Sequence, residues 1–139
     1  MNKKVLILCT GNSCRSIIAE ALINKYLDEI AAYSSGVKPS GRVNPNAKKV
    51  LEANDVWKDN YHSKTLDSLK DIEFDLVVTV CDHAKETCPV FTKPIPKIHI
   101  GFEDPDGKEY EAFEATYKEI KGKLLPKIKE QFQKPFYKG

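Results

Sequence analysis

The spacing of apolar residues changes abruptly within the first twenty positions, and few architectures accommodate that change. Residues 5–8 (VLIL) form an unbroken apolar run that ends at Cys9 and the turn residue Gly11, the pattern of a strand buried on both faces. From Ser13 the period switches: Cys14, Ile17, Ile18, Ala21, Leu22, Tyr26 and Ile30 recur at three and four, as on an amphipathic helix. The segment between them is therefore a strand-loop-helix junction. The remaining pattern repeats the alternation. Residues 31–33 read as a second strand closed by Ser34, Ser35 and Gly36, and residues 74–80 (FDLVVTV) as the strongest strand, ending at Cys81. Residues 95–100 read as a weaker strand because Pro96 removes a ladder donor.

Between the strands, Asn44 followed by Pro45 predicts an N-cap and first helical residue, with a helix through about Asn54. Ser63 is expected to cap a short helix through about Lys70. Tyr110, Phe113, Tyr117, Ile120, Leu124, Ile128 and Phe132 predict a last helix, which Pro126 should bend or interrupt through its clash with the carbonyl of Gly122. Alternating strands and helices predict an α/β fold, a mostly parallel four-stranded sheet flanked by helices, in one domain over residues 1–139. Sheets of this kind bind ligands beyond the carboxyl ends of their strands, where both Cys9 and Cys81 fall.

Composition narrows the function. A net charge of +2, with no basic run interleaved with aromatics, argues against a nucleic-acid partner. The apolar run behind Lys3 and Lys4 is too short for a secretory leader or membrane span, so the expectation is a cytoplasmic, membrane-free protein, with a monomer as the default. The four cysteines, Cys9 with Cys14 and Cys81 with Cys88, then read as catalytic, redox or metal-binding rather than as a disulfide framework. A zinc site from Cys81, His83 and Cys88 would lack a fourth ligand and matches no common structural spacing, so no metal site is expected.

The loop from Cys9 to Arg15 carries the clearest chemistry. A short loop running into a helix N-terminus turns its amides toward an oxyanion, and Gly11 permits close approach. Arg15 adds a planar bidentate donor. The same field favours the Cys9 thiolate, helped by a hydroxyl from Ser13 or Ser16. Thr10, Gly11, Asn12, Ser13, Cys14, Arg15 and Ser16 are the expected substrate-binding positions, although the side chain of Cys14 falls on the apolar face of the helix and reads as core. Asp104, Pro105, Asp106 and Gly107 have the composition of a turn.

The stretch CTGNSCRS, residues 9–16, resembles the active-site loop shared by low-molecular-weight protein tyrosine phosphatases and the thioredoxin-coupled arsenate reductases of the same fold. Loop chemistry alone does not separate the two. The stretch LVVTVCDHAKETCP, residues 76–89, is similar to the reductase segment that carries the second and third redox cysteines. The likeness extends from residue 4 to about residue 121 and includes YSSGV, VNPNA and HIGFEDPDGK. It implies Cys9 as nucleophile, Arg15 as oxyanion clamp, Asp104 as general acid, and a relay ending in a Cys81–Cys88 disulfide recycled by thioredoxin. Arsenate would be the substrate, with phosphate or sulfate competing. The alternative is a phosphomonoesterase using Cys9, Arg15 and Asp104. Phosphatases of this fold usually carry an aromatic residue after the Asp-Pro pair, where this chain has Asp106 and Gly107.

Two departures from the family pattern stand out. Some relatives hold potassium at positions matching Asn12, Glu20 and Ser34 plus an acidic residue, here Thr65. The expectation is that no cofactor is required and that Lys64 places an ammonium against Glu20 instead, the other reading being a solvated surface lysine. The C-terminal stretch with Gly122 and Pro126 also differs from the uninterrupted helix of relatives.

Overall fold

The computed structural model describes residues 3–9, 11, 14–36, 40–69, 71–81 and 95–133. Four strands, β1 (Lys3–Cys9), β2 (Ile30–Gly36), β3 (Leu76–Thr79) and β4 (Lys97–His99), form one sheet in the order β2-β1-β3-β4. Every pairing is parallel. The helices are α1 (Arg15–Tyr26), α2 (Pro45–Ala53) and α3 (Tyr110–Gln133), with a 3-10 turn at Leu66–Leu69.

The strand β1 lies between β2 and β3 with α1 packed against it, and its residues 5–8 are fully buried. The chain leaves β1 through α1 to reach β2 on one side and later returns to lay β3 on the other. Strand order thus reverses at β1, and the crevice beyond β1 and β3 is the switch point where open α/β sheets bind ligands. The edge at β2 is covered rather than exposed. Asn24 of α1 exchanges two hydrogen bonds with the backbone of Ala32, at 2.9 and 3.2 Å, and Gly36 bridges to Thr65.

Several sequence expectations are corrected. Ile30 continues the spacing of α1 but belongs to β2: the helix ends at Tyr26, Leu27 N–H closes on Ile23 C=O, and Ile30 pairs with Lys3. Ser34, Ser35 and Gly36 lie inside β2 rather than closing it. The fourth strand shrinks to three residues because Pro96 accepts from Val77 N–H and has no N–H to return. Pro126 does not interrupt α3. Both Pro126 and Gly122 sit on its exposed side, where water can satisfy the freed carbonyl and the missing Cβ of Gly122 leaves room.

Candidate active site

The two strand ends bring two thiols to one edge. Cys9 is the last residue of β1, and Cys81 lies two residues past β3. Val80 N–H donates to Leu8 C=O at 3.0 Å, so the pairing persists up to the residue before each cysteine. Both are buried, at 3% and 5% exposure. Adjacent strands lie about 4.8 Å apart, so the two thiols come from neighbouring ladder positions although they are far apart in sequence.

Below this edge the helix α1 begins without a cap of its own. Cys14 stands at the N-cap with no capping hydrogen bond from its side chain, and no Asp or Glu occupies the first turn. A helix start with no carboxylate on it keeps its partial positive charge for an external anion. The loop in front is held from outside. The carbonyl of Gly11 accepts from Ser40 N–H at 2.9 Å and from the Ser63 hydroxyl at 3.0 Å, while Ser63 in turn accepts from Gly41 N–H at 3.2 Å. A carbonyl committed to those donors does not turn its negative end toward a bound oxyanion. Ser63 therefore anchors the loop and is not the expected helix cap; the 3-10 turn starts at Leu66 instead.

Arg15, the first residue of α1, reaches across to the segment after β4. Its Nη1 donates to Phe102 C=O at 3.0 Å, and its Nη2 stands 3.3 Å from Asp104 Oδ2. The third donor, Nε, is buried and finds no partner among the described residues. A buried guanidinium N–H without a partner is costly unless a ligand supplies one, and a tetrahedral oxyanion is the ligand whose geometry suits it. The arginine side chain is 11% exposed and the aspartate 51%, so the pair opens toward solvent on the acid side.

The acid segment is a tight turn. Lys108 N–H closes on Pro105 C=O at 3.0 Å, with Gly107 at φ +84°, a left-handed position that favours glycine. Asp106 N–H donates to Asp104 Oδ1 at 3.0 Å, and Lys108 pairs with Glu103, holding the Glu103 carboxyl below its usual range. Asp106 is more than a turn residue: its Oδ1 accepts from Asn44 Nδ2 at 2.7 Å and faces Cys14 Sγ at 4.0 Å.

On the other flank, Glu20 is buried beneath β2. The Ser34 hydroxyl donates to its Oε1 at 2.6 Å, and Lys64 Nζ stands 3.9 Å away. The two side chains are 9% (Lys64) and 7% (Glu20) exposed, so Lys64 is not a solvated surface lysine. Burial pushes the Glu20 carboxyl up, against the pull of Lys64 and Ser34, and pushes the Lys64 ammonium down, against the pull of Glu20.

Of the sequence-derived site residues, Cys9, Gly11, Cys14, Arg15, Ser16, Cys81 and Asp104 are gathered around the crevice or its supporting helix. Cys14 and Ser16 are buried, as the core reading of Cys14 expects. Thr10, Asn12, Ser13, His83 and Cys88 lie outside the described residues. Ser63, Asn44, Asp106 and the carbonyl of Phe102 were not singled out by sequence as parts of the site. Asn44 and Ser63 carried only the signal of a helix cap, and Asp106 only that of a turn. Among the described residues no three His, Cys, Asp or Glu side chains gather to hold a metal ion, and no helix is long and apolar enough to cross a membrane.

Comparison with known proteins fits this geometry. An arsenate reductase of Bacillus cereus (strain AH187) is 44% identical over 121 residues, covering 86% of this chain and 90% of its own. The crystal structure of an arsenate reductase from Archaeoglobus fulgidus DSM 4304 superposes with a TM-score of 0.75 at 32% identity, over 89% of this chain and 98% of that one. A low molecular weight protein tyrosine phosphatase from T. tengcongensis superposes with a TM-score of 0.78 at 26% identity, over 94% and 99%. The sequence model of low molecular weight phosphotyrosine protein phosphatases spans residues 4–135, and with an arginine at the start of α1 facing an aspartate turn, the chain belongs to that family.

Proposed function

We propose that the protein reduces arsenate to arsenite through a three-thiol relay. The observation that carries this reading is the second thiol: Cys81 sits at the strand end next to Cys9, and a phosphatase needs only one nucleophile. The relatives named arsenate reductase, matched over most of both lengths, point the same way. In the first step the Cys9 thiolate attacks arsenic and forms a sulfur–arsenic bond, while the leaving oxygen takes a proton from Asp104 and departs as water. Arg15 and the loop amides hold the remaining oxygens. Cys81 then attacks the sulfur of Cys9. The sulfur–arsenic bond breaks, its electron pair stays on arsenic, and arsenite leaves a Cys9–Cys81 disulfide. Cys88 attacks Cys81 and frees Cys9 as thiolate. Thioredoxin returns two electrons and two protons to the Cys81–Cys88 disulfide, a chemistry that suits the reducing cytoplasm.

Phosphate and sulfate compete for the same loop as tetrahedral anions, and Cys9, Arg15 and Asp104 support a slow phosphomonoesterase activity. Turnover does not depend on potassium, because Lys64 already supplies a cation to Glu20. A strong stimulation by potassium over sodium at equal ionic strength would overturn that part.

The main test is NADPH oxidation on adding arsenate to the protein with thioredoxin and thioredoxin reductase. Wild type turns over, and Cys88→Ser stops after one cycle. If no arsenate-dependent oxidation occurs while phosphate ester hydrolysis survives Cys88→Ser, the phosphatase reading replaces this one.

A further inference from the structure

Asn44 has a side chain engaged at both ends. Its Oδ1 accepts from Asn46 N–H at 2.8 Å and caps α2, while its Nδ2 donates to Asp106 Oδ1 at 2.7 Å. Only one orientation of the amide satisfies an N–H donor on one side and a carboxylate on the other, so its oxygen and nitrogen are fixed by their partners. Serine or aspartate caps a helix about as well as asparagine does. Capping alone therefore does not explain an amide here; the contact with Asp106 does.

From Asp106 the connection continues to the proposed proton donor. Its N–H donates to Asp104 Oδ1 at 3.0 Å, and the other oxygen of Asp104 stands 3.3 Å from Arg15 Nη2. Asp104 is half exposed on a turn that the sheet does not hold. Its placement rests on Arg15 on one side and on Asp106 on the other, and Asp106 is tied by Asn44 to the start of a regular helix. We propose that Asn44 is a positioning residue for the acid. It fixes the Asp104 turn over the oxyanion loop through Asp106, so that α2 and α1 approach the reacting group from opposite ends. The inference rests on the reading of Asp104 as the acid given above.

The test separates cap from bridge. Asn44→Ser keeps a capping hydroxyl and removes the amide, and Asp106→Ala removes the bridge while leaving the cap of α2 intact. Proton donation matters most when the leaving group is basic, so kcat/KM is measured on phenyl phosphate and on p-nitrophenyl phosphate, alongside arsenate turnover and thermal unfolding. Asp104→Asn is the reference. Both bridge variants are expected to lose roughly tenfold on phenyl phosphate and about twofold on p-nitrophenyl phosphate, within the range of a misplaced proton donor. On arsenate, kcat falls and KM stays nearly constant, with the unfolding temperature of Asn44→Ser close to that of wild type.

If Asp104→Asn shows the dependence on leaving group and neither bridge variant does, the bridge is overturned and the acid stands. If Asp104→Asn shows none, the acid assignment fails and takes the bridge with it. An equal loss on both esters in Asn44→Ser, in step with lost thermal stability, reduces the residue to a cap.

Discussion

Two ion pairs flank the oxyanion loop, and they are built to opposite specifications. Lys64 and Glu20 face each other behind β2 with both side chains almost fully buried, and Ser34 satisfies the carboxylate further. Arg15 and Asp104 meet in front of the loop, with the arginine mostly covered and the aspartate half in water. A charge taken out of water needs its partner at all times, because the alternative is an unpaired charge in a medium that solvates it badly. A charge that keeps one side in water can exchange partners cheaply. The rear pair therefore supports the fold, and the front pair is free to reorganise, as the proposed binding of an anion at Arg15 requires.

The sharpest way to break this contrast is to remove one carboxylate from each side. Asp104→Asn should lower kcat by roughly 10²- to 10³-fold, the usual weight of a general acid. Its stability should stay within about 0.5 kcal/mol of wild type, as for an exposed group. Steady-state turnover together with urea denaturation checks both halves. A large loss of stability would mean that the front pair is structural too.

The rear pair should answer in the opposite currency. Lys64→Met leaves Glu20 buried without its cation, and removal of one partner from such a pair costs about 3 kcal/mol. The cost depends on pH. The folded state holds the Glu20 proton more tightly than the unfolded chain does, so its favourable contribution is full at acid pH and fades as pH rises through the folded pKa. Lys64 runs the other way: its depressed pKa gives a contribution that is full above the ordinary lysine value and lost as pH falls through the folded one. In Lys64→Met only the first of these remains. The deficit relative to wild type should therefore be small near pH 4.5 and grow toward pH 8, as urea midpoints at the two values would reveal. A deficit independent of pH would point to lost packing of the lysine stem instead.

Smaller effects test what joins the two sides. Ser63→Ala removes one of the two donors on the Gly11 carbonyl and should cost about 1 kcal/mol of stability, with weaker inhibition by phosphate. Far from both pairs, Gly122→Ala in α3 should stabilise the protein by about 0.5–1 kcal/mol, since an added Cβ meets no atom within 4 Å. Thermal unfolding measures it, and turnover should not change.

The elements legible in the sequence were those whose burial leaves one reading. Residues 5–8 and 76–78 are apolar without interruption because these strands are buried on both faces, and their pattern admits little else. Ile30 misleads because its spacing fits α1, while the chain ends that helix through Leu27 and spends Ile30 on β2. The stretch from Cys9 to Arg15 stands out in the sequence because one short segment carries thiol, glycine and guanidinium together. Ser63, Asn44 and Asp106 do not, since each acts across a long sequence separation through a hydrogen bond that tertiary structure alone creates. Lys64 was intermediate: the likeness to the family located its neighbour Glu20, and only the folded chain shows the ammonium withdrawn from water.

The position of β1 between its two neighbours also sets an order of events during synthesis. Asp75, the residue before β3, is tied to Lys4 through both its backbone and its carboxylate, a contact spanning 71 residues. At about 5–20 residues per second, a ribosome releases Cys9 roughly 4 to 14 seconds before that partner strand exists. Loop closure over such a distance cannot be rewarded earlier, so the nascent chain carries an ordinary thiol in an unformed loop. On the proposed function, the reactivity of Cys9 is thus a property of the finished molecule, and a truncated or stalled chain carries the thiol without the surroundings proposed to activate it.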